Sequence, residues 1–259
     1  MCYWVGTKKV REEMLQRLQQ DPEDEIAHLF YRVFVAGNEL EFKDHYVAIG
    51  HWNPEISALI CNADHSLEFK NMRWGFPWKY TQPKTGKTTE RVLINSTSEK
   101  VFFIHRDVIY KKRCIIPLDG YYEFFHYNGE VYPHFLHVPD AILFAAGVWD
   151  EFADTSTGEI ISRFSILTTP PNNLAGRIHN NPGSPNGSRM LLLLSEEDIE
   201  TYLDPNNSRE KLKDLFVPYS DEGMEAYPVP RFLRKDFSGY LNTPKVREKI
   251  EYPELALLF

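Results

Sequence analysis

The sequence lacks most of the features that would assign a function on their own. Its three cysteines include no Cys-x-x-Cys pair, and no spacing of histidines, cysteines and carboxylates is typical of a metal site. The phosphate-binding, dinucleotide-binding, zinc-protease and serine-hydrolase signatures are absent as well. We therefore expect no cofactor and no metal. The odd number of cysteines gives no disulfide framework and favours a reducing compartment, the cytoplasm.

No run of 18 apolar residues occurs, so we expect no membrane-spanning segment. The start, MCYWVGTKKV, lacks the charged and apolar regions of a secretory leader, and we expect no leader. Positive charge is in deficit, since 29 Lys and Arg face 37 Asp and Glu and give a net charge of −8. This balance argues against coating of nucleic acid by bulk electrostatics, although a local basic groove is compatible with it.

Strand-forming sequence is plentiful. The segment from Cys114 to Trp149 alternates β-branched and aromatic runs, and Asn128-Gly129 within it predicts a hairpin turn. Further extended segments are predicted at residues 27–35, 46–49, 163–169 and 190–194. Helices are predicted at residues 7–20, with Thr7 as a cap, at 172–178, capped by Asn172 or Asn173, at 196–203 and at 208–216. Residues 74–89 and 180–188 are predicted to be loops.

These patterns predict an α+β fold dominated by antiparallel strands. No internal repeat, low-complexity tract or linker divides the chain. We therefore expect one domain over residues 1–259, in which residues 195–259 form C-terminal helices and a tail packed on the rest. We also expect a monomer.

The first chemical candidate is Cys2. Removal of Met1 would leave a free α-amine beside a thiol, with ordinary pKa values of about 8 and about 8.5, so both have a reactive fraction at neutral pH. Such a group condenses with an aldehyde to an imine, which the thiol closes into a five-membered thiazolidine ring. An internal cysteine cannot do this. A chance cysteine after the initiator is the alternative.

Three further side chains have the chemistry of a site. Glu123 lies in an aromatic strand, where desolvation would suit it to proton transfer, unless the alternation of the strand simply points it at solvent. His179 lies between a short helix and a loop, and its imidazole could act as acid or base. Asn95 follows an apolar strand and could hold a sugar or an amine, or simply cap a turn. The rivals of His179 among strand residues are His126, His134 and His137.

The segment MRWGFPWKY, residues 72–80, interleaves aromatic and basic side chains. Trp74 and Trp78 offer faces for base stacking, and Arg73 can meet a phosphate, a pattern typical of proteins that bind single-stranded nucleic acid. The alternative is a core loop anchored by its tryptophans.

Taken in chain order, the segments MC, RWGFPW, INSTSE, RCIIPLDGYYEF, AAGVW, SILTT and IH followed by RM resemble the SRAP family, the SOS response-associated peptidases or abasic site processing proteins. The resemblance spans residues 2–194. It implies a curved, barrel-like antiparallel sheet flanked by short helices. It also implies binding of single-stranded DNA and a covalent DNA–protein crosslink at abasic sites in damaged DNA, in association with the nucleoid if the source is bacterial.

The resemblance also implies roles for particular residues. Cys2 matches the nucleophile, Asn95 the Asn of the family's Asn-Ala-Arg-Ser-Glu motif, Glu123 the Glu that closes Gly-Phe/Tyr-Tyr-Glu, and His179 the His that precedes Arg-Met. Trp74 and Pro77 match a loop that packs against the flanking bases. Lyase activity and N-terminal auto-peptidase activity are further expectations.

The sequence departs from the family pattern at three places. Tyr3 and Trp4 follow Cys2 where the family has Gly and Arg, Thr97 stands where the motif has a phosphate-binding Arg, and residues 180–188 separate His179 from Arg189. Arg73, Arg113 and Arg189 are the candidates to compensate for the missing Arg. Two other functions stay open: an N-terminal-nucleophile amidohydrolase that uses the same Cys2, and a single-strand binding module without catalysis.

Overall fold

The computed structural model describes residues 3–37, 40–154, 156–232 and 241–256. The α-helices in these ranges are α1 (Val10–Gln20), α2 (Glu25–Tyr31), α3 (Val101–Ile104), α4 (Asn173–Ile178), α5 (Glu196–Leu203) and α6 (Arg209–Asp214). The strands are β1 (Trp4–Gly6), β2 (Ala48–Ile49), β3 (Glu55–Cys61), β4 (Leu67–Trp74), β5 (Phe76–Thr81), β6 (Thr88–Leu93), β7 (Asn95–Thr97), β8 (Arg113–Leu118), β9 (Gly120–Tyr127), β10 (Glu130–His137), β11 (Leu143–Ala153), β12 (Ile160–Thr169), β13 (Met190–Leu191), β14 (Leu193–Leu194) and β15 (Glu225–Pro228). Short 3₁₀ turns lie at Gly50–Trp52, Pro244–Arg247 and Pro253–Leu255, and a π-helical turn at Arg32–Ala36.

Five strands close into a barrel. They pair in the order β12–β4–β3–β8–β11, and β11 pairs back onto β12. All of these pairings are antiparallel except that of β4 with β12. Closure leaves these strands with no open edge along the ring. Because successive side chains point to opposite faces, one buried cluster takes Ile56, Ala58 and Ile60 of β3, and Leu59 packs in a second cluster with helices α1, α2 and α5.

A second sheet pairs in the order β15–β10–β9–β1–β2. Its β9–β10 hairpin turns at Asn128 and Gly129, both at positive φ (49° and 78°), as predicted for this dipeptide. The bend between β8 and β9 is made by Gly120 at φ 157°, where a Cβ would lie 2.3 Å from the ring of Phe135. The aromatic strand β9 can therefore leave the barrel only because this position is glycine.

The α+β class, the mainly antiparallel barrel and most of the predicted elements are confirmed. The strands between Cys114 and Trp149 are β8 to β11, the segment 163–169 lies in β12, and residues 196–203 are α5. Asn172 caps α4 by accepting a hydrogen bond from the backbone N–H of Ala175 at 2.8 Å. None of the helices in the described ranges is long and apolar enough to cross a membrane.

Three local predictions are wrong. Residues 27–35 are helical, because Asp24 caps α2 and the apolar side chains of Ala27, Phe30 and Phe34 recur at helical spacing. Residues 74–89 belong mostly to the β5–β6 hairpin, which pairs Phe76 with Leu93 through Thr81 with Thr88. Thr7 is not a helix cap: its hydroxyl donates to the Lys43 carbonyl and accepts from the His45 N–H.

The buried imidazole of His105 should make stability depend on pH. Its Nε2 is joined to the Ser96 hydroxyl at 2.7 Å, and burial lowers its pKa from 6.5 to about 4. Between pH 6.5 and pH 4 the imidazole is therefore protonated in the unfolded chain and neutral in the folded chain. The free energy of unfolding falls as the pH drops from 6.5 towards 4. We expect His105→Gln to remove on the order of 3 kcal/mol of the difference between the unfolding free energies at pH 7 and pH 4.

Urea unfolding at the two pH values measures this change. His28→Gln, a substitution at an exposed position of α2, is the control and should leave the pH dependence as it is. An unaltered pH dependence in His105→Gln would contradict the prediction.

Candidate active site

Glu123 lies on β9 with 1% of its surface exposed. The neighbouring strand β1 runs antiparallel to it, with Gly6 opposite Gly120 and Trp4 opposite Tyr122. Moving from Trp4 towards the start of the chain therefore means moving towards Glu123. Cys2, the predicted nucleophile, lies outside the described residues, which begin at Tyr3.

His179 faces this carboxylate. It follows α4 directly, is 3% exposed, and its Nδ1 lies 3.4 Å from Oε2 of Glu123. The same nitrogen lies 2.8 Å from the carbonyl oxygen of Arg189 and 3.2 Å from its backbone nitrogen. Nδ1 therefore faces two acceptors, the Glu123 carboxylate and the Arg189 carbonyl, and one donor, the backbone N–H of Arg189. The structure thus brings two of the predicted catalytic residues into direct contact.

Asn180, which the sequence analysis treated only as part of a loop, fixes this geometry. Its side-chain oxygen accepts the His126 backbone N–H at 2.7 Å, and its side-chain nitrogen donates to the His126 carbonyl at 2.9 Å. His126 is three residues beyond Glu123 on β9. The two bonds therefore fasten the residue after His179 to the strand that carries Glu123.

The rival histidines occupy different places. His134 lies directly opposite Glu123 in the β9–β10 pairing, is 3% exposed and donates from Nδ1 to the Tyr132 carbonyl at 3.0 Å. Burial lowers its pKa, so it is neutral near pH 7. His137 lies 3.9 Å from Glu225 at the edge of the sheet. His134 is therefore also a neighbour of Glu123, and the periodicity of the sequence could not identify it as one.

Asn95 begins β7, which runs parallel to β12 with Asn95 opposite Ile166. The next residue, Ser96, is buried and lies 3.1 Å, hydroxyl to hydroxyl, from Ser165. Thr97, at the position of the family's motif Arg, is 8% exposed. This segment of the motif is therefore held firmly against the barrel, with Asn95 partly accessible at its start.

The side chain of Arg189 is buried and binds other residues of the protein. Its guanidinium makes two hydrogen bonds to Glu99, at 2.7 and 2.8 Å, and one to the Thr168 carbonyl at 2.7 Å. Burial raises the pKa of Glu99, but the hydrogen bond and charge of Arg189 lower it by more, so the carboxylate is ionised. Arg189 was predicted to contact DNA. Its side chain is instead 6% exposed and holds the backbone whose carbonyl contacts His179.

Two other predicted DNA contacts are corrected by burial. Arg113 is 2% exposed and donates to the carbonyls of Ile109, Asp204 and Tyr202. Trp74 is fully buried, with its indole N–H bonded to the Ile94 carbonyl at 2.8 Å. Neither side chain can reach a phosphate or a base from these positions, because both are used to hold strands and loops together.

The remaining predicted contacts lie at or beside the β5–β6 hairpin. Arg73 is exposed at the end of β4, and Pro77 and Trp78 lie on β5. The ring of Trp78 stacks on Tyr80 at 5.6 Å with 5° between the planes, and Phe103, 60% exposed, approaches Tyr80 at 5.9 Å. We call Pro77, Trp78, Tyr80 and Phe103 the aromatic hairpin surface. A groove of about 450 Å³ runs along it. Tyr80 and Phe103 were missed from the sequence.

Comparison with known proteins assigns the family. The model of the SOS response associated peptidase (SRAP) family matches residues 1–235, and the chain belongs to this family. The abasic site processing protein YoqW of Bacillus subtilis is 29% identical over 214 residues, which cover 78% of this chain and 87% of YoqW. The abasic site processing protein YoaM of the same organism is 30% identical, with 78% and 86% covered.

Solved structures agree on the fold. A protein from Bacteroides thetaiotaomicron superposes with a TM-score of 0.70 at 23% identity, covering 96% of this chain and 100% of that one. A protein from Bordetella bronchiseptica gives 0.66 at 21% identity, covering 88% and 100%.

The two hydrogen bonds of Asn180 give a test of how the site is held. We expect Asn180→Ala to lower the free energy of unfolding by about 1 kcal/mol, because two solvent-accessible hydrogen bonds to the backbone of His126 are lost and water replaces them only in part. Chemical denaturation measures this. Asn181→Ala removes only a bond to the Gly183 N–H within the loop, and it should change stability by less than about 0.5 kcal/mol. Equal effects of the two substitutions would contradict the assigned role.

Proposed function

We propose that this protein binds single-stranded DNA and joins the amine and thiol of Cys2 to the aldehyde of an abasic site as a thiazolidine. The observation that carries the proposal is the buried Glu123–His179 pair at the end of the β1–β9 register. Chain connectivity keeps Cys2 within about 7 Å of the Cα of Trp4, and Trp4 is opposite the residue that precedes Glu123. The naming of the Bacillus relatives as abasic site processing proteins supports the same substrate.

The steps follow from ordinary carbonyl chemistry. The abasic sugar is mostly a closed hemiacetal. The imidazole of His179 takes the proton of its C1 hydroxyl and delivers a proton to the ring oxygen, so the bond between C1 and the ring oxygen breaks and the aldehyde is exposed. Glu123 takes a proton from the Cys2 ammonium group. The free amine then adds to the aldehyde carbon, and loss of water gives the imine. Addition of the thiol sulfur to the imine carbon closes the ring, and the thiol proton passes to the nitrogen, so one water is the sole by-product.

A buried carboxylate suits this role. An amine beside Glu123 supplies the opposite charge that a desolvated carboxylate needs, and the proton moves over a hydrogen bond rather than through solvent. Asn95, at the start of β7, would hold the sugar hydroxyl or the amine. An imine that loses a proton from the adjacent sugar carbon expels the 3′ phosphate by β-elimination, which accounts for lyase activity. Peptidase activity would be confined to release of Met1, the step that exposes the amine.

The aromatic hairpin surface supplies the DNA contact in this proposal. Bases of any identity can stack on the faces of Trp78, Tyr80 and Phe103. The hairpin carries four basic residues and one acid: Lys79, Lys84, Lys87 and Arg91 against Glu90. It is thus a positive region on a chain whose net charge is −8. Arg73, exposed three residues before β5, adds a cation at its base and is the remaining exposed candidate for the role of the missing motif Arg.

The direct test mixes the protein with a single-stranded oligonucleotide that carries one abasic site and follows a heat-stable shifted band on a denaturing gel. We expect Cys2→Ala to abolish the band, and Glu123→Gln and His179→Ala to slow its formation by about 10²-fold or more, as loss of a general acid or base does. The partly buried His137, at the end of β10 in the same sheet, gives the control His137→Ala, which should crosslink at the normal rate.

Intact mass spectrometry completes the test, because retained Met1 would block the amine. Turnover of an amide substrate with no reaction at abasic DNA would favour an amidohydrolase instead. Unchanged DNA affinity in Cys2→Ala together with no covalent product from the native protein would favour a binding module.

Base stacking gives a second test. We expect Trp78→Ala to weaken the binding of intact single-stranded DNA by roughly 5- to 150-fold, which corresponds to the 1–3 kcal/mol of one stacked base. Fluorescence anisotropy at fixed salt measures it. Tyr31→Ala replaces an exposed aromatic on α2, beside the acidic Glu23 and Glu25, and should leave affinity unchanged. Equal affinities for native protein and Trp78→Ala would remove the aromatic hairpin surface from the DNA path.

A further inference from the structure

The last described segment, residues 241–256, lies beyond the region that the family model matches, and the catalytic proposal does not use it. It packs Val246 among Trp4, Tyr122 and Phe135 in a buried cluster of the five-stranded sheet. Polar contacts hold it to both sides of that sheet. Arg247 lies next to β1. At the other side, Glu254 accepts the Tyr132 hydroxyl of β10 at 2.9 Å, and the Ile250 N–H donates to the Pro228 carbonyl of β15 at 3.1 Å.

The hydrogen-bond donors of the Arg247 side chain almost all have partners. Its Nη1 and Nη2 donate to the two oxygens of Asp119 at 2.7 and 2.8 Å, its Nε donates to the Tyr46 carbonyl at 2.9 Å, and Nη2 also reaches the His45 carbonyl at 3.2 Å. The side chains of Arg247 and Asp119 are 10% and 2% exposed. Every nitrogen of this guanidinium therefore has an acceptor, in the two-pronged geometry that only arginine provides.

Asp119 connects Arg247 to β1. Its Oδ2 accepts the Lys9 backbone N–H at 2.6 Å, and its own N–H donates to the Gly6 carbonyl at 3.1 Å. A Cβ placed on Gly6 would lie 2.0 Å from Nη2 of Arg247, so the guanidinium rests directly on the backbone of β1. The ion pair thus touches both ends of the Gly6–Lys9 segment that follows β1.

β1 needs such an external hold. It is three residues long, and it pairs with β9 at three positions and with β2 at two. A ladder this short is drawn from the least stable part of a fold unless neighbouring contacts fix it. A slip of one residue would also turn every side chain of β1 to the other face of the sheet. The position of the chain start relative to Glu123 therefore depends on what holds Gly6 opposite Gly120.

We propose that Arg247 is a positioning residue, which through Asp119 keeps β1 in register on β9 and so sets the approach of the Cys2 amine to Glu123. The inference rests on the proposed function for its catalytic consequence. The C-terminal segment then contributes to the active site by positioning β1, although none of its residues contacts the reacting groups.

The test separates positioning from general stability. Arg231 provides the matched control, because it also binds the tail by a partly buried ion pair. Its guanidinium lies 2.9 Å from Glu130 and 3.5 Å from Glu254, and it stacks on Tyr132. These contacts are at β10, two strands away from β1 in the pairing order. We compare Arg247→Ala, Arg247→Lys and Arg231→Ala in single-turnover crosslinking to abasic single-stranded DNA, with DNA affinity and melting temperature measured alongside.

We expect Arg247→Ala to lower the crosslinking rate at saturating DNA by about tenfold to a hundredfold, the usual cost of misplaced reacting groups, with DNA affinity within about twofold. Arg247→Lys keeps the charge but loses the fork, so it should restore part of the rate. Arg231→Ala should crosslink at the native rate even where its melting temperature falls as far as that of Arg247→Ala.

Hydrogen exchange gives a readout that needs no DNA. Amides of β1 should exchange faster in Arg247→Ala and in Arg247→Lys, and at the native rate in Arg231→Ala. If the native protein forms no crosslink, the proposed function fails, and the exchange of β1 alone decides the positioning role. Native crosslinking rates in both Arg247 variants, unchanged β1 exchange, or an equal loss of rate in Arg231→Ala would overturn the inference. Where Arg247→Ala does not fold, Arg247→Lys decides.

Discussion

A carboxylate withdrawn from water and held 3.4 Å from an imidazole is the contact on which the rest of this structure depends. Burial of a charge is costly unless partners compensate for it, and the chain surrounds Glu123 and His179 with fixed groups. Asn180 ties the histidine's neighbour to β9, and the carbonyl of Arg189 lies against Nδ1. Such preorganised groups do not rearrange during a reaction, which is how buried sites speed proton transfer.

The two sheets have different roles. The closed barrel supplies a rigid wall that fixes β7 and β12, and the five-stranded sheet carries β1 and β9, where the proposed chemistry takes place. The Glu99–Arg189 pair links them, because Glu99 follows the β7 motif and Arg189 holds the peptide that contacts His179. Arg189, which resembled a DNA ligand in the sequence, is therefore a structural part of the connection between the sheets.

Charge is distributed unevenly over the chain. The net charge of −8 disfavours general attraction to a polyanion, and the basic residues of the β5–β6 hairpin concentrate attraction at one place. Binding of this kind is weak and sensitive to salt. In the proposed reaction a covalent product would compensate for weak affinity, since the strand would need to stay only long enough for the aldehyde to react. Selectivity would then come from the chemistry of the abasic sugar rather than from the sequence of the bases.

The sequence by itself determined the family, the α+β class, the strands from Cys114 to Trp149 and the cap at Asn172, because these follow from local pattern and from the order of motifs. It also selected Glu123 and His179, which the structure brings together. Only the tertiary structure decided which cations are available: Arg113, Arg189 and Arg247 look alike in the sequence, yet each is consumed by carbonyls or a carboxylate far along the chain. Residues 27–35 were mispredicted because aromatic and β-branched runs suit a helix or a strand according to the surface they cover. Residues 74–89 were mispredicted as a loop because they are rich in Pro, Gly, Lys and Thr, whereas the two sides of the segment pair with each other as a hairpin. The partners of a buried polar group come from distant segments, and only folding places those segments side by side.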